Sequence, residues 1–310
     1  MSDNIIFMGT SKFAVPILDK ISESKLNISV VYTQPPKKSN RGMKVQKTPI
    51  QVKSEFLGLP IRTPTSLKNN IDEYNFIKKL KPTIVIVISY GQIIPKEFLE
   101  LSEKGFLNIH ASILPKFRGA APIQRAIMSQ DTETGISFMK INEHLDTGPV
   151  LETYKVKIDL NLNATELEEK LSKLAAEKTI ENIDNIIKGK AKLKEQDHSK
   201  ATYAEKINKK EGKIIWNDSA KKIIGKINGL YPSPGAYFMF CGERYKILKA
   251  EIGNLSGKIG EVLTDKLEIA CAKNQSVKIV EIQKEGKKPQ NIVEFMLGSN
   301  IKKGSLISNA

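Results

Sequence analysis

Asn108 and His110 stand two residues apart at the end of an apolar run, Gly105-Phe-Leu-Asn-Ile-His110. A strand has a period of two, so both side chains leave it on the same side. A neutral amide and an imidazole converging there can polarise a carbonyl and shuttle a proton. A lone histidine is more often structural. The Ser112-Ile-Leu-Pro115 turn and the Arg118-Gly119 loop that follow, however, mark irregular backbone rather than core. A second polar segment is His144-Leu-Asp146-Thr-Gly148. An Asp in such a turn commonly caps its own backbone; it can equally orient His110, as carboxylates do beside imidazoles. His144 has no second ligand at metal spacing, so no metal site is expected. His198 falls in a polar stretch and is expected in solvent.

The elements that position these residues alternate strand and helix. Strands are expected at Asn4–Met8, Ile28–Thr33, Leu59–Arg62, Thr83–Ile88, Gly105–His110 and Thr134–Ile141. Helical patterns fall between them, near Lys12–Ser22, from Pro49 to Leu57, at Ile71–Leu80, at Pro95–Leu101 and from Pro122. Such a rhythm predicts a mostly parallel, doubly wound sheet with ligands at the carboxyl ends of its strands. Ala164–Lys188 reads as one long helix with Leu167, Leu171, Leu174 and Ile180 on one face, and the polar Gly189–Lys200 as a linker. Beyond it the pattern shortens. A helix at Asp218–Asn228 and the break Tyr231-Pro-Ser-Pro-Gly235 lead to strands at Ala236–Cys241, Arg244–Ala250, Gly260–Leu263, Leu267–Ala272 and Val277–Gln283, with a last helix at Ile292–Leu297. That spacing suggests a small β-barrel.

The 310 residues carry 49 Lys and Arg against 34 Asp and Glu, a net charge of +15. The last 110 hold 19 of the bases and 11 of the acids, so the barrel is the denser in positive charge. A polyanionic partner such as nucleic acid is one reading and a lysine-rich proteome the other. Two distant cysteines, Cys241 and Cys271, exclude a disulfide framework and a cysteine-rich zinc site. No apolar run approaches the ~18 residues of a membrane span. The chain opens on a strand with no basic and apolar leader, so a cytoplasmic location is expected. Gly9-Thr-Ser-Lys is neither GxGxxG nor a P-loop, so a dinucleotide site lacks its mechanical parts.

Taken together, Asn108-x-His110, Ser112-Ile-Leu-Pro115, Arg118-Gly-Ala-Ala-Pro-Ile-Gln124 and Leu145-Asp146-Thr-Gly148 resemble the 10-formyltetrahydrofolate-dependent formyltransferases. So do Phe7-Met-Gly-Thr10, Thr33-Gln-Pro35, Ser89-Tyr-Gly91 and Thr202-Tyr-Ala-Glu-Lys206, over essentially the whole chain. The resemblance implies a Rossmann-like catalytic domain (1–189), a linker (190–206) and an OB-like tRNA-binding domain (207–310). It implies formyl transfer from 10-formyltetrahydrofolate to the α-amine of initiator methionyl-tRNA, by a monomer, without metal or covalent intermediate. Asn108, His110 and Asp146 would be catalytic. Ser89, Tyr90, Gly91, Gln92, Ile93 and Ile94 would present main-chain groups and an apolar wall to the folate, and Ser112, Ile113, Leu114 and Pro115 would line it. The basic loop Pro35–Lys47, with Lys37, Lys38, Arg41, Lys44 and Lys47, would enter the acceptor stem and order only on the tRNA. Another amine acceptor, a glycinamide or sugar nucleotide, or water as acceptor, would keep the same chemistry. A non-catalytic RNA-binding protein would use the basic barrel alone.

Overall fold

Ile84–Ile88, five consecutive β-branched residues, is buried along its whole length, as a strand covered on both faces must be. The computed structural model, which describes residues 3–39 and 44–308, places it at the middle of a seven-stranded sheet. From one edge to the other the order is Val150–Lys157, Glu133–Lys140, Phe106–His110, Ile84–Ile88, Asn4–Gly9, Asn27–Tyr32 and Ile61–Arg62. The five strands from Phe106–His110 onward pair in parallel, and Glu133–Lys140 joins them antiparallel. Asn4–Gly9 shows how the sheet is held: Ile6 and Met8 enter one apolar cluster with Val85, Val87, Tyr90 and Phe98, and alternate residues face the other way.

The surrounding helices begin where the sequence supplies caps. Thr48 accepts from the Gln51 N–H ahead of Pro49, and Asn70 accepts from the Glu73 N–H to start Ile71–Leu80. Glu73 then takes the hydroxyl of Tyr32 at 2.6 Å and a two-point contact from Arg62 at 2.7 Å. Burial pushes the Glu73 carboxyl up, but the hydrogen bonds from Arg62 and Tyr32 and the Arg62 charge outweigh it and hold it below the usual carboxylate range.

Contacts divide the chain into two units that cross the boundaries expected at 189 and 206. One comprises 1–119, 135–156 and 168–203; the other comprises 120–134, 157–167 and 204–310. The reason is local. In the second unit, helix Pro122–Met128 lies against helix Ala220–Gly229, and Gly225 and Gly229, one turn apart, let the backbones approach. Arg125 completes the contact with both oxygens of Glu211 at 2.5 and 3.1 Å. This unit also holds an antiparallel sheet ordered Ala236–Phe240, Glu243–Gly253, Gln275–Lys284 and Glu268–Cys271, with Gln290–Asn291 pairing with Gln275–Lys284. Phe238 is core, stacked on Tyr245 at 5.4 Å and beside Trp216 at 6.1 Å.

Three local expectations need correction. Val150–Lys157, unmarked in the sequence, is an edge strand in which polar residues break the apolar pattern. Gly260–Leu263 makes only isolated bridges, of Glu261 to Leu306 and Val262 to Ile269. Within the basic segment expected to order only on the tRNA, Lys37–Ser39 pairs antiparallel with Lys44–Gln46 in the protein by itself.

Glu73 gives a test of the fold. Its carboxyl is depressed in the folded state, so its stabilisation is present above the unfolded carboxylate value of about 4.3 and is lost as pH falls through the folded one. Glu73→Gln should therefore cost about 2 kcal/mol at pH 7, below the full loss for a buried pair because Arg62 is about a third exposed. The gap between variant and native in urea melts should close below about pH 4. A gap independent of pH would contradict the assignment.

Candidate active site

Strand Phe106–His110 ends at the carboxyl edge of the sheet, with Asn108 opposite Val87 of the strand that leads into Ser89. Its period of two brings Asn108 and His110 onto one carboxylate. Asn108 Nδ2 donates to Asp146 Oδ1 at 3.5 Å, the limit of a hydrogen bond. His110 Nδ1 lies 3.6 Å from Asp146 Oδ2, an ion-pair distance; such contacts tighten when substrate fills a site. On its other side His110 Nε2 is 2.8 Å from the carbonyl of Phe117. A carbonyl only accepts, so Nε2 carries the proton in that contact. The ring thus sits between a carboxylate and a carbonyl, with its side chain 7% exposed and that of Asp146 13%.

A carboxylate this far from water needs donors. The Gly119 N–H donates to Asp146 Oδ2 at 2.8 Å. The backbone is fixed as well. Asp146 is left-handed, with φ 51°, and its carbonyl accepts from Gln196 Nε2 at 2.9 Å. The same amide nitrogen donates to the carbonyl of Gly148 at 2.7 Å. A side chain at Gly148 would fall on the backbone oxygen of Lys140, so glycine is required there.

The Ser112–Pro115 turn is held from the neighbouring strand. Ser137 Oγ donates to the Ser112 carbonyl at 2.8 Å and accepts from the Leu114 N–H at 3.2 Å. Ser112 Oγ closes the turn on the Lys116 carbonyl at 2.6 Å. Thr202 accepts from the Phe117 N–H through its hydroxyl and from the Arg118 N–H through its carbonyl, both at 2.9 Å. Lys194 pairs with Val150 at 2.8 Å in both directions. The stretch expected to be a bare linker is therefore fastened along the site.

In the Ser89–Ile94 segment, Ser89 and Gly91 are left-handed, with φ 47° and 74°. The carbonyl of Tyr90 accepts from Thr10 Oγ1 at 2.9 Å and that of Gly91 from Gln34 Nε2 at 2.9 Å. The Tyr90 side chain belongs to the core, and its burial pushes the phenol above its ordinary value. Gln92 donates its amide to the Pro64 carbonyl at 2.8 Å. Of the expected apolar wall, Ile94 packs on the core cluster, whereas Ile93 is 89% exposed. The left-handed turn at Gly91 carries it outward.

Among the basic residues, Lys37 donates to Gln34 Oε1 at 2.7 Å and Lys47 pairs with Glu55 at 2.8 Å, both exposed. Lys38 and Lys44 lie on the hairpin strands; Arg41 lies outside the described residues. Among those residues no three His, Cys, Asp or Glu side chains gather as a metal site would need, and no helix is long and apolar enough to cross a membrane.

The structure thus brings together Asn108, His110, Asp146 and the Ser112–Pro115 turn. Phe117, Gly119, Ser137 and Gln196 join them unannounced. Phe117 and Gly119 act through backbone, which no side-chain pattern reveals. Gln196 was hidden in a polar stretch whose signal was its own isolation: it is buried while residues 192–195 and 197–200 are exposed.

Comparison with known proteins gives the family. Residues 3–183 match the family model "Formyl transferase", and residues 206–300 match "Formyl transferase, C-terminal domain". The chain is 60% identical to a methionyl-tRNA formyltransferase of Pelagibacter ubique over the full length of both, and 42% identical to one of Thermodesulfovibrio yellowstonii over 98% of each. An N-formyltransferase of Helicobacter canadensis, solved with folinic acid and dTDP-3-aminofucose, shares the fold at a TM-score of 0.68 and 19% identity, over 92% of this chain and all of that one. With both parts of the family model matched in order along the sequence, the chain belongs to the formyl transferase family.

Proposed function

We propose that this chain transfers the formyl group of 10-formyltetrahydrofolate to the α-amino group of methionine on initiator methionyl-tRNA. The observation that carries the reading is the convergence of Asn108 and His110 on Asp146, in a chain 60% identical end to end to a methionyl-tRNA formyltransferase. The co-substrate supplies a one-carbon unit at the formate oxidation level, so transfer to an amine needs no change of oxidation state. The remaining work falls to the protein.

That work is electrostatic and protonic. Charge develops on the formyl oxygen as the amine adds, and pre-placed donors stabilise it most. The Nε2–H of His110, now spent on Phe117 O, and the amide of Asn108 are those donors. As the tetrahedral adduct collapses the C–N10 bond breaks, and His110 relays the proton lost by the amine to N10 of the departing tetrahydrofolate. Asp146 orients the ring and balances its positive charge. A nucleophilic side chain is not needed, since the amine itself attacks.

The fit to the folate is tested by the polar groups the site leaves open. Among the described residues, the backbone N–H and C=O groups of Gln92, Ile93 and Ile94 have no protein partner, whereas the neighbouring carbonyls of Tyr90 and Gly91 do. A strip of free main-chain donors and acceptors is what a pterin edge requires. Ile93, exposed beside it, supplies apolar surface. The Ser112–Pro115 turn, buried at Ser112 and Leu114, would line the folate as well.

The basic segment 35–47 and the lysine-rich C-terminal unit would meet the phosphates of the tRNA, with Arg41 as the specific contact. Affinity would then fall with salt. We place the enzyme in the cytoplasm, as a monomer.

The direct test mixes the protein with 10-formyltetrahydrofolate and, separately, initiator methionyl-tRNA, elongator methionyl-tRNA and glycinamide ribonucleotide. Formyl-methionyl-tRNA from the initiator alone is expected; product from the ribonucleotide alone would replace the acceptor. His110→Ala and Asp146→Ala should each lower single-turnover rates by about 10²–10⁴ while tRNA affinity by filter binding stays within about twofold. An equal loss of tRNA affinity would move these residues out of the chemistry. Arg41→Ala should raise the KM for tRNA by about tenfold, the loss of one charged contact, and leave the folate KM unchanged. A matched rise in the folate KM would place the hairpin at the other substrate.

A further inference from the structure

The Gln196 side chain divides its hydrogen bonds between Arg118 and the turn that carries Asp146. Its Nε2 donates to the carbonyls of Asp146 and Gly148 at 2.9 and 2.7 Å. Its Oε1 accepts from Arg118 Nε at 3.1 Å and Nη2 at 2.7 Å. The assignment of the two amide ends is not ambiguous, because carbonyls only accept and a guanidinium only donates. The residue is 7% exposed and Arg118 2%, so water does not substitute for these partners.

Arg118 is itself pinned. Its Nη2 also donates to His198 Nδ1 at 2.9 Å, which requires that nitrogen to be unprotonated. Its backbone N–H donates to the Thr202 carbonyl at 2.9 Å. The next residue is Gly119, whose N–H holds Asp146 Oδ2. The Gln196–Arg118 contact therefore ties together the two anchors of Asp146: the one on its carboxylate, through Gly119, and the one on its backbone carbonyl. With Asp146 in the left-handed region, where a residue with a side chain has no intrinsic preference to stay, those anchors decide where the carboxylate points.

We infer that Gln196 is a positioning residue for the reaction, acting through Asp146 to set the carboxylate that His110 faces, with Arg118 as its support. This rests on the function proposed above. A buried glutamine that merely held the fold together would affect stability and both substrate affinities alike. A positioning residue should act on the chemical step, since misplacement of a reacting group by about an ångström costs about 100-fold.

Two variants of the full chain separate these cases. Gln196→Ala removes all four hydrogen bonds. Gln196→Glu keeps acceptors for Arg118 and adds a charge for it, so it retains the tie to the fold, but it turns an oxygen toward the carbonyls of Asp146 and Gly148. Steady-state formylation of initiator methionyl-tRNA should show kcat down about 10–100-fold in both. The KM for tRNA and for folate should stay within about twofold, and the thermal midpoint of Gln196→Glu within about 4 °C of native. Asp146→Ala, assayed alongside, gives the floor. A Gln196→Glu enzyme with kcat within threefold of native would overturn the inference while leaving the function standing. So would losses of kcat that appear only together with a fallen thermal midpoint and raised KM for both substrates. Absence of product from the native chain would sink the transferase reading and this inference with it.

Discussion

A carboxylate with little access to water is the constraint around which this site is built. Asp146 keeps only 13% of its side-chain surface. An ion so placed persists only if donors replace the water it has lost, and each donor left out would cost about 1–3 kcal/mol or more. The structure meets the demand from separate pieces of chain, Asn108 and His110 from one strand end and the Gly119 N–H from the short strand Arg118–Gly119, while Gln196, from the stretch after the long helix, holds the backbone carbonyl of the same residue. None of these pieces could hold Asp146 alone. The sheet sets the first two, and the polar stretch at 194–202, stitched to Val150, Phe117 and Arg118, sets the others. The site is the place where the fold closes its hydrogen-bond accounts.

How far this was legible in the sequence differs from residue to residue. Asn108 and His110 could be read because strand periodicity is strict and the run before them is apolar. The central strands could be read because burial on both faces leaves only apolar residues to choose from. Asp146 was visible as a residue but not as a contact, since thirty-six residues separate it from His110 and only the antiparallel return of Glu133–Lys140 brings it back. Val150–Lys157 was missed because its exposed positions hold Glu and Lys, which blur the alternation. Gln196 was missed for a different reason. A buried polar residue amid exposed lysines has no periodicity to betray it, and its role depends on partners that are backbone atoms.

The positive charge had two explanations, and the structure shows how part of it is spent. Several cations are locally committed: Arg62 to Glu73, Arg125 to Glu211, Lys53 to Asp19, Lys284 to Glu243. These pairs serve the fold. With only 34 acids against 49 bases, the excess must remain on the surface. Exposed lysines lose little by staying there, because water solvates them, and they gain when a polyanion releases its counterions. A lysine-rich proteome explains why the residues are lysines. It does not explain why the smaller C-terminal part should be the denser in them.

The commitments of Asp146 also bear on the choice of acceptor. A formyl donor in such a site can lose its one-carbon unit to water as well as to an amine, and hydrolysis would need a base free to take a proton from water. Here Oδ2 is engaged by the Gly119 N–H and faces His110, while Oδ1 faces the Asn108 amide. A carboxylate whose oxygens are so occupied is a poor base and a good support. An amine needs less help than water: once neutral it attacks unaided, and only the oxyanion and the departing proton must be managed. On the function proposed above, the groups around Asp146 would make it a weaker base for water and leave that role to His110. The same contacts, which burial requires, would then bear on the choice between amine and water.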